Sequence, residues 1–151
     1  LVRMAILFYK VCEPYGCFSN FSPHAIDLEG VTWPTSEHYY QAQKFLGTPF
    51  QYLCPIIRVA ASPEHAAAIG RNPRYRVRPD WEQVKNDVMY TAVLTKFLSH
   101  NELKEQLLST GNEPILENSP TDDYWGCGLD RMGQNQLGKI LMQVRQELSQ
   151  R

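Results

Sequence analysis

The chain has 151 residues, 43% of them apolar, and a formal net charge of −1 at pH 7. That length supports one ordinary hydrophobic core, and the composition carries no mark of a disordered or fibrous protein. The near-neutral charge argues against a general nucleic-acid or anionic-membrane binder while leaving room for a local basic patch, and no apolar run approaches the roughly 20 residues of a membrane span.

In chain order, residues 4–11 read as a strand. The apolar stretch at 4–9 is too short for a signal-peptide core and is followed by no small-residue cleavage site, and the true start is expected upstream of Leu1 or at Met4. Residues 16–23 form a loop carrying Phe18 and Phe21; exposed loops seldom keep two such rings, so this one is expected to fold over a pocket or core. Residues 25–28 and 31–33 flank Glu29-Gly30 as a small hairpin. The remainder reads as mainly helical. Thr35 or Ser36 caps a helix closed by Gly47 and Pro49, and Ser62-Pro63-Glu64 starts a short one ended by Gly70. Asp80-Trp81-Glu82-Gln83 reads as a capping box opening a long helix to about Leu98. Asn101 begins another, ended by Gly111, and a last helix from about Asn135 carries the stripe Leu137, Ile140, Leu141, Val144 and Leu148. With no repeat or low-complexity linker, residues 1–151 are expected to form one domain.

Cys12, Cys17, Cys54 and Cys127 lack C-x-x-C spacing, and His24, His38, His65 and His100 show no metal-binding arrangement. Neither a zinc site nor a disulfide framework is expected, and the thiols are read as reduced and cytosolic. Cys17 and Cys127 flank the richest segments; the favoured reading is small buried hydrophobes over pocket residues.

Three segments carry chemistry. At about 100° per residue, a helix over 36–45 puts Glu37, Gln41 and Lys44 on one face among aromatic and apolar neighbours, where charge is costly to bury. On the long helix, Lys85 and Lys96 fall within about 60° of Trp81, on the side of Val88 and Ala92. Both lysines either snorkel past the core's edge or serve a ligand; for Lys85, downstream of Arg71, Arg74, Arg76 and Arg78, anion binding is favoured. Those four arginines hold a phosphate if one or two turn inward, and otherwise form a solvated loop. The third segment, 117–128, is a loop rich in Pro, Asp and Gly in which Asp122, Asp123, Tyr124 and Trp125 offer carboxylates beside a stacking wall.

Taken in order, Asn20-Phe21, Ser36-Glu37-His38 with Gln41 and Lys44, and Arg78-Pro79-Asp80-Trp81 with Lys85 and Met89 closely resemble the NADAR, or YbiA-like, family. Residues 122–128, 133–138 and 141–145 extend the resemblance to nearly the whole chain. Residues 50–57, with Pro55 and an apolar run, depart from a family pattern that is more polar and helical there.

The resemblance implies a compact α+β fold, predominantly helical, with a small N-terminal strand and hairpin region. It also implies an N-glycosidase needing neither metal nor organic cofactor. Family activities fall on ribosylamine phosphates of the early riboflavin pathway and on ADP-ribose attached to guanine. Cleavage of a ribose C1–N bond passes through an oxocarbenium-like transition state. Glu37 is accordingly expected as the main carboxylate, Asp122 as its partner, and Trp81 and Trp125 as walls for the heterocycle. Asn20 would orient a ribose hydroxyl or base edge, and Lys44 and Lys85 would bind phosphate or tune the carboxylates. Phe21, Arg78, Gln41 and Asn135 complete the expected substrate-binding set. Lys44 also permits a route in which its amine attacks C1 of an opened sugar to form a Schiff base. A small phosphorylated ribosyl substrate is favoured over ADP-ribosylated nucleic acid, with a non-catalytic ADP-ribose-like sensor and, last, a scaffold as competing classes. A cytoplasmic setting is expected, and oligomeric state is not legible.

Overall fold

A computed structural model of the protein describes residues 4–151; a start upstream of Leu1 lies outside the described residues. Its elements are β1 (Ile6–Phe8), a 3-10 turn (Gly16–Phe18), β2 (Ile26–Leu28), β3 (Val31–Trp33), α1 (Ser36–Gln43), α2 (Leu53–Arg58) and α3 (Pro63–Gly70). There follow α4 (Trp81–Ser99), α5 (Asn101–Ser109), β4 (Ile115–Glu117) and α6 (Gln136–Ser149). The protein is therefore α+β and predominantly helical. The chain forms two compact units, Pro23–Lys96 and the described part of Leu1–Ser22 together with Phe97–Arg151.

In the unit Pro23–Lys96, β2 and β3 pair antiparallel with Ile26 opposite Trp33. Glu29 and Gly30, at φ 56° and 76°, both occupy the left-handed region, as the two-residue turn best matched to strand twist requires. The hairpin turns Ile26 and Trp33 into a core with Tyr39, Ala42 and Phe45 of the α1 segment, Ile57 of α2 and Ala92 of α4. Starts are chemically marked: the side chains of Thr35 and Ser62 accept from the backbone N–H of His38 and His65, satisfying donors that α1 and α3 would otherwise leave open. At α4 the Asp80 carboxylate is instead held by the Arg78 guanidinium, at 2.6 and 2.9 Å. The apolar run at 50–57 leads into α2, which the sequence reading did not assign; Leu53 and Ile57 are buried, while Tyr52 and Ile56 face outward. Lys96 does not snorkel: it is 1% exposed.

In the other unit, β1 and β4 pair in parallel, Ile6 opposite Ile115. The expected strand at 4–11 thus shrinks to three residues, and its partner lies more than a hundred residues onward, a pairing that no local pattern announces. Phe18 is buried with its ring 5.9 Å from Phe8 and 5.8 Å from Phe97, both edge-on, so the aromatic loop folds onto a core. The α6 stripe is buried as expected. Cys127 is buried and Cys17 half-buried, its thiol donating to Gln106 Oε1 at 3.0 Å.

Candidate active site

α1 is short and almost entirely buried, including its polar residues. Glu37 is 5% exposed and Gln41, one turn on, 1% exposed. The Gln41 amide Nε2 donates to Glu37 Oε2 at 2.6 Å, so that oxygen accepts, as a carboxylate oxygen does. The bond fixes the carboxylate's orientation from its own helix. Gln41 Oε1 is buried without a hydrogen-bond partner.

Lys44 follows on the same side, its Nζ donating to Gly70 O at 3.3 Å and lying 5.7 Å from the centre of the Tyr40 ring. Burial pulls the lysine down to about 8; Glu37 opposes the shift, and the positive charges of Arg71 and Lys85 reinforce it. Of the arginine run, Arg71 is thus the member whose charge reaches this face. Arg78 instead forms a two-pronged pair with Asp80, while its backbone N–H donates to Lys44 O at 2.8 Å, tying the run to the end of α1. Lys85 donates to Glu82 Oε1 at 2.9 Å. Trp81, 5% exposed, packs against Tyr40 with ring centres 5.2 Å apart, giving the face an aromatic floor.

Two residues outside the expected catalytic and binding set hold this face in place. A Cβ at Gly70 would come within 2.0 Å of Gln41 Oε1 and 2.8 Å of its Cδ, so a side chain there would push the Gln41 amide aside, next to the carbonyl that receives Lys44. Gly70 had been read only as a helix stop. Gly70→Ala is expected to displace the Gln41 amide and lower kcat/KM by about 100-fold in a folded protein; wild-type kinetics in that variant would contradict the positioning role. His38 is the second. Its Nδ1 lies 2.8 Å from Thr35 Oγ1 and its Nε2 3.1 Å from Ala60 O. Burial lowers its pKa, and because the Ala60 carbonyl only accepts, Nε2–H donates to it and anchors the first turn of α1 beside Glu37.

In the unit containing Phe97–Arg151, Asp122 Oδ1 accepts from the backbone N–H groups of Tyr124 and Trp125 at 3.0 and 2.8 Å. The carboxylate thereby builds the turn that presents two half-buried rings, 4.9 Å apart and perpendicular. The Tyr124 and Trp125 carbonyls in turn accept from the N–H groups of Gln136 and Leu137, capping α6. Asn135 uses both ends of its amide on β4: Oδ1 accepts from Glu117 N and Nδ2 donates to Ile115 O, each at 2.9 Å. That clasp explains why Asn135 offers α6 no side-chain cap. Asn20 is buried and Phe21 half-buried, on the loop whose Ser19 hydroxyl accepts from Phe21 N at 3.1 Å. Among the described residues, no cluster of His, Cys, Asp and Glu is arranged to hold a metal, and no helix is long and apolar enough to cross a membrane.

A buried carboxylate oriented by an amide, with a depressed lysine on the same short helix and an aromatic floor, is a site suited to stabilising or trapping a cationic sugar centre. Residues 7–149 match the NADAR domain, and the chain belongs to that family. It is 55% identical over 145 residues to an N-glycosidase of Nostoc punctiforme, covering 96% of this chain and 93% of that protein. It is also 44% identical to N-glycosidase YbiA of Escherichia coli, over 95% of this chain and 88% of that one. The solution structure of E. coli YbiA superposes with a TM-score of 0.88 at 42% identity, covering 99% of this chain and 88% of that chain. A riboflavin biosynthesis protein of Zea mays, PYRR, is 46% identical over 95% of this chain, which spans only 25% of that longer protein.

Proposed function

We propose that this chain is an N-glycosidase, a hydrolase that cleaves the C1–N bond between ribose and a nitrogen heterocycle in a small phosphorylated ribosyl compound. The observation that carries this reading is the buried Glu37 carboxylate, held by Gln41 on the helix that ends at a lysine pulled down to about 8. The names of the Nostoc and E. coli relatives support the reaction, and that of the Zea mays relative, a riboflavin biosynthesis protein, supports a ribosylamine phosphate as substrate.

In direct hydrolysis the C1–N bonding pair leaves with the base, which takes up a proton, while Glu37 stabilises the positive charge growing on the sugar. Water then bonds to C1 and gives up a proton to the carboxylate. In the alternative route, neutral Lys44 attacks C1 of the opened sugar, the base departs, and water hydrolyses the resulting Schiff base. Lys85 and Arg71 supply positive charge for a phosphate, and Trp81 with Tyr40 supplies ring surface. Asp122 and Asn135 are assigned to holding the loop that presents Trp125 and to anchoring α6. The four free thiols fit a reducing, cytoplasmic setting.

Release of ADP-ribose from guanine is the second reading, since such a substrate joins the same kinds of groups. Incubation with ribosylaminopyrimidine phosphates and with ADP-ribosylated guanine separates the two. We expect kcat/KM to be at least about tenfold higher on the former, and the reverse order would transfer the assignment to the latter.

A further inference from the structure

The segments that follow α1 and α3 are built from residues that fix or bend the backbone: Gly47 at φ 72°, Pro49, Pro73 and Pro79. Between them lies a cavity of about 500 Å³, within the range of roughly 300–1,000 Å³ typical of small-molecule sites. Proline holds φ near −65°, so walls rich in it resist collapse and lose little freedom when a ligand enters. Neither Glu37, Gln41, Lys44, Trp81 nor Lys85 lines this cavity, which separates it from the α1 face.

Its lining has two chemistries. Pro49, Phe50, Pro73 and Val77 are apolar, and the Phe50 ring is oriented by an edge-on contact with Tyr75 at 5.5 Å. Arg74 and Arg76 are the charged members, and no carboxylate lines the cavity. Among the described residues neither arginine enters an ion pair, whereas Arg78, two positions further, is neutralised by Asp80. Two guanidinium groups of uncompensated charge beside an apolar cleft complement an anion. Their forked N–H donors match phosphate oxygens, and the Phe50 ring complements a planar group.

We propose that this cavity is a second ligand site, taking a small molecule that joins a planar ring to a phosphate, as a mononucleotide does. The proposal rests on the cavity and its two arginines alone and holds whatever bond the α1 face breaks. Calorimetric titration with adenosine monophosphate, inorganic phosphate and adenosine tests it. The monophosphate is expected to bind saturably at this site, and each of its two halves at least about tenfold more weakly. The exposed pair Arg74→Gln/Arg76→Gln should retain the wild-type melting temperature yet weaken the monophosphate at this cavity at least about tenfold, leaving any separate binding at the α1 face as it was. Absence of saturable binding to the wild type would overturn the proposal. So would a double substitution that leaves both the number of monophosphate sites and their affinities as in the wild type.

Discussion

Glu37→Gln is expected to lower turnover by about 1,000-fold while leaving ligand affinity within a few-fold of wild type. The substitution keeps shape and burial and removes only charge. In the ground state the sugar is neutral and gains little from a nearby anion; in the transition state it carries positive charge, and a fixed carboxylate in a water-poor site is then worth several kcal/mol. The Gln41 amide makes the orientation permanent, so no reorganisation is needed as the bond breaks. The consequence falls on kcat more than on binding. Single-turnover release of base, measured beside calorimetric affinity, reads both quantities. A variant that turns over normally would remove Glu37 from the chemistry, and a wild type that binds but never releases base would leave a sensor.

Lys44→Met is expected to produce the second large loss, again about 1,000-fold if the amine is the nucleophile, and to abolish any sugar adduct trapped by borohydride. With the folded lysine at about 8, its neutral fraction rises steeply from pH 7 to pH 8, so kcat/KM should climb with pH and level off above about 8. Arg71→Gln or Lys85→Gln removes a cation that helps to lower that value, moving the climb to higher pH. Stability also rises with pH, but in a higher window. The unfolded lysine titrates near 10.5 and the folded one near 8, so between those values the unfolded state binds more protons and stability rises with pH. Below about pH 8 the charged lysine is a full penalty on the fold. Lys44→Met should therefore melt higher than wild type at pH 7, with an advantage that shrinks towards pH 10. A flat rate profile with no trapped adduct would leave direct hydrolysis as the route.

Much of the unit Pro23–Lys96 was legible because its signals are local. A glycine in a two-residue turn, hydroxyl caps at Thr35 and Ser62, and proline at the first turn of α3 each act through backbone groups a few residues away. The face of Glu37, Gln41 and Lys44 followed from helical period alone. α2 went unassigned because Pro55 and an apolar run carry no helical period, whereas proline in a first helical turn sacrifices no internal bond. β4 escaped because a parallel pair is set by chain segments far apart in sequence.

Roles were harder to read than positions. Asp122, expected as a partner carboxylate, and Asn135, expected to bind substrate, also bond backbone groups of a loop and a strand, a structural duty that their residue types do not announce. Short polar side chains serve backbone and ligand with the same atoms, and sequence does not say which partner they meet. Gly70 shows the converse. Its importance lies in an absent Cβ, visible only once the Gln41 amide is seen against it.

Quantifying free heterocycle and ribose phosphate after incubating the purified protein with a ribosylaminopyrimidine phosphate tests the central claim most directly. The account predicts the two products in equal amounts from the wild type and almost none from Glu37→Gln. Intact substrate after prolonged incubation with the wild type, there and with ADP-ribosylated guanine alike, would contradict it.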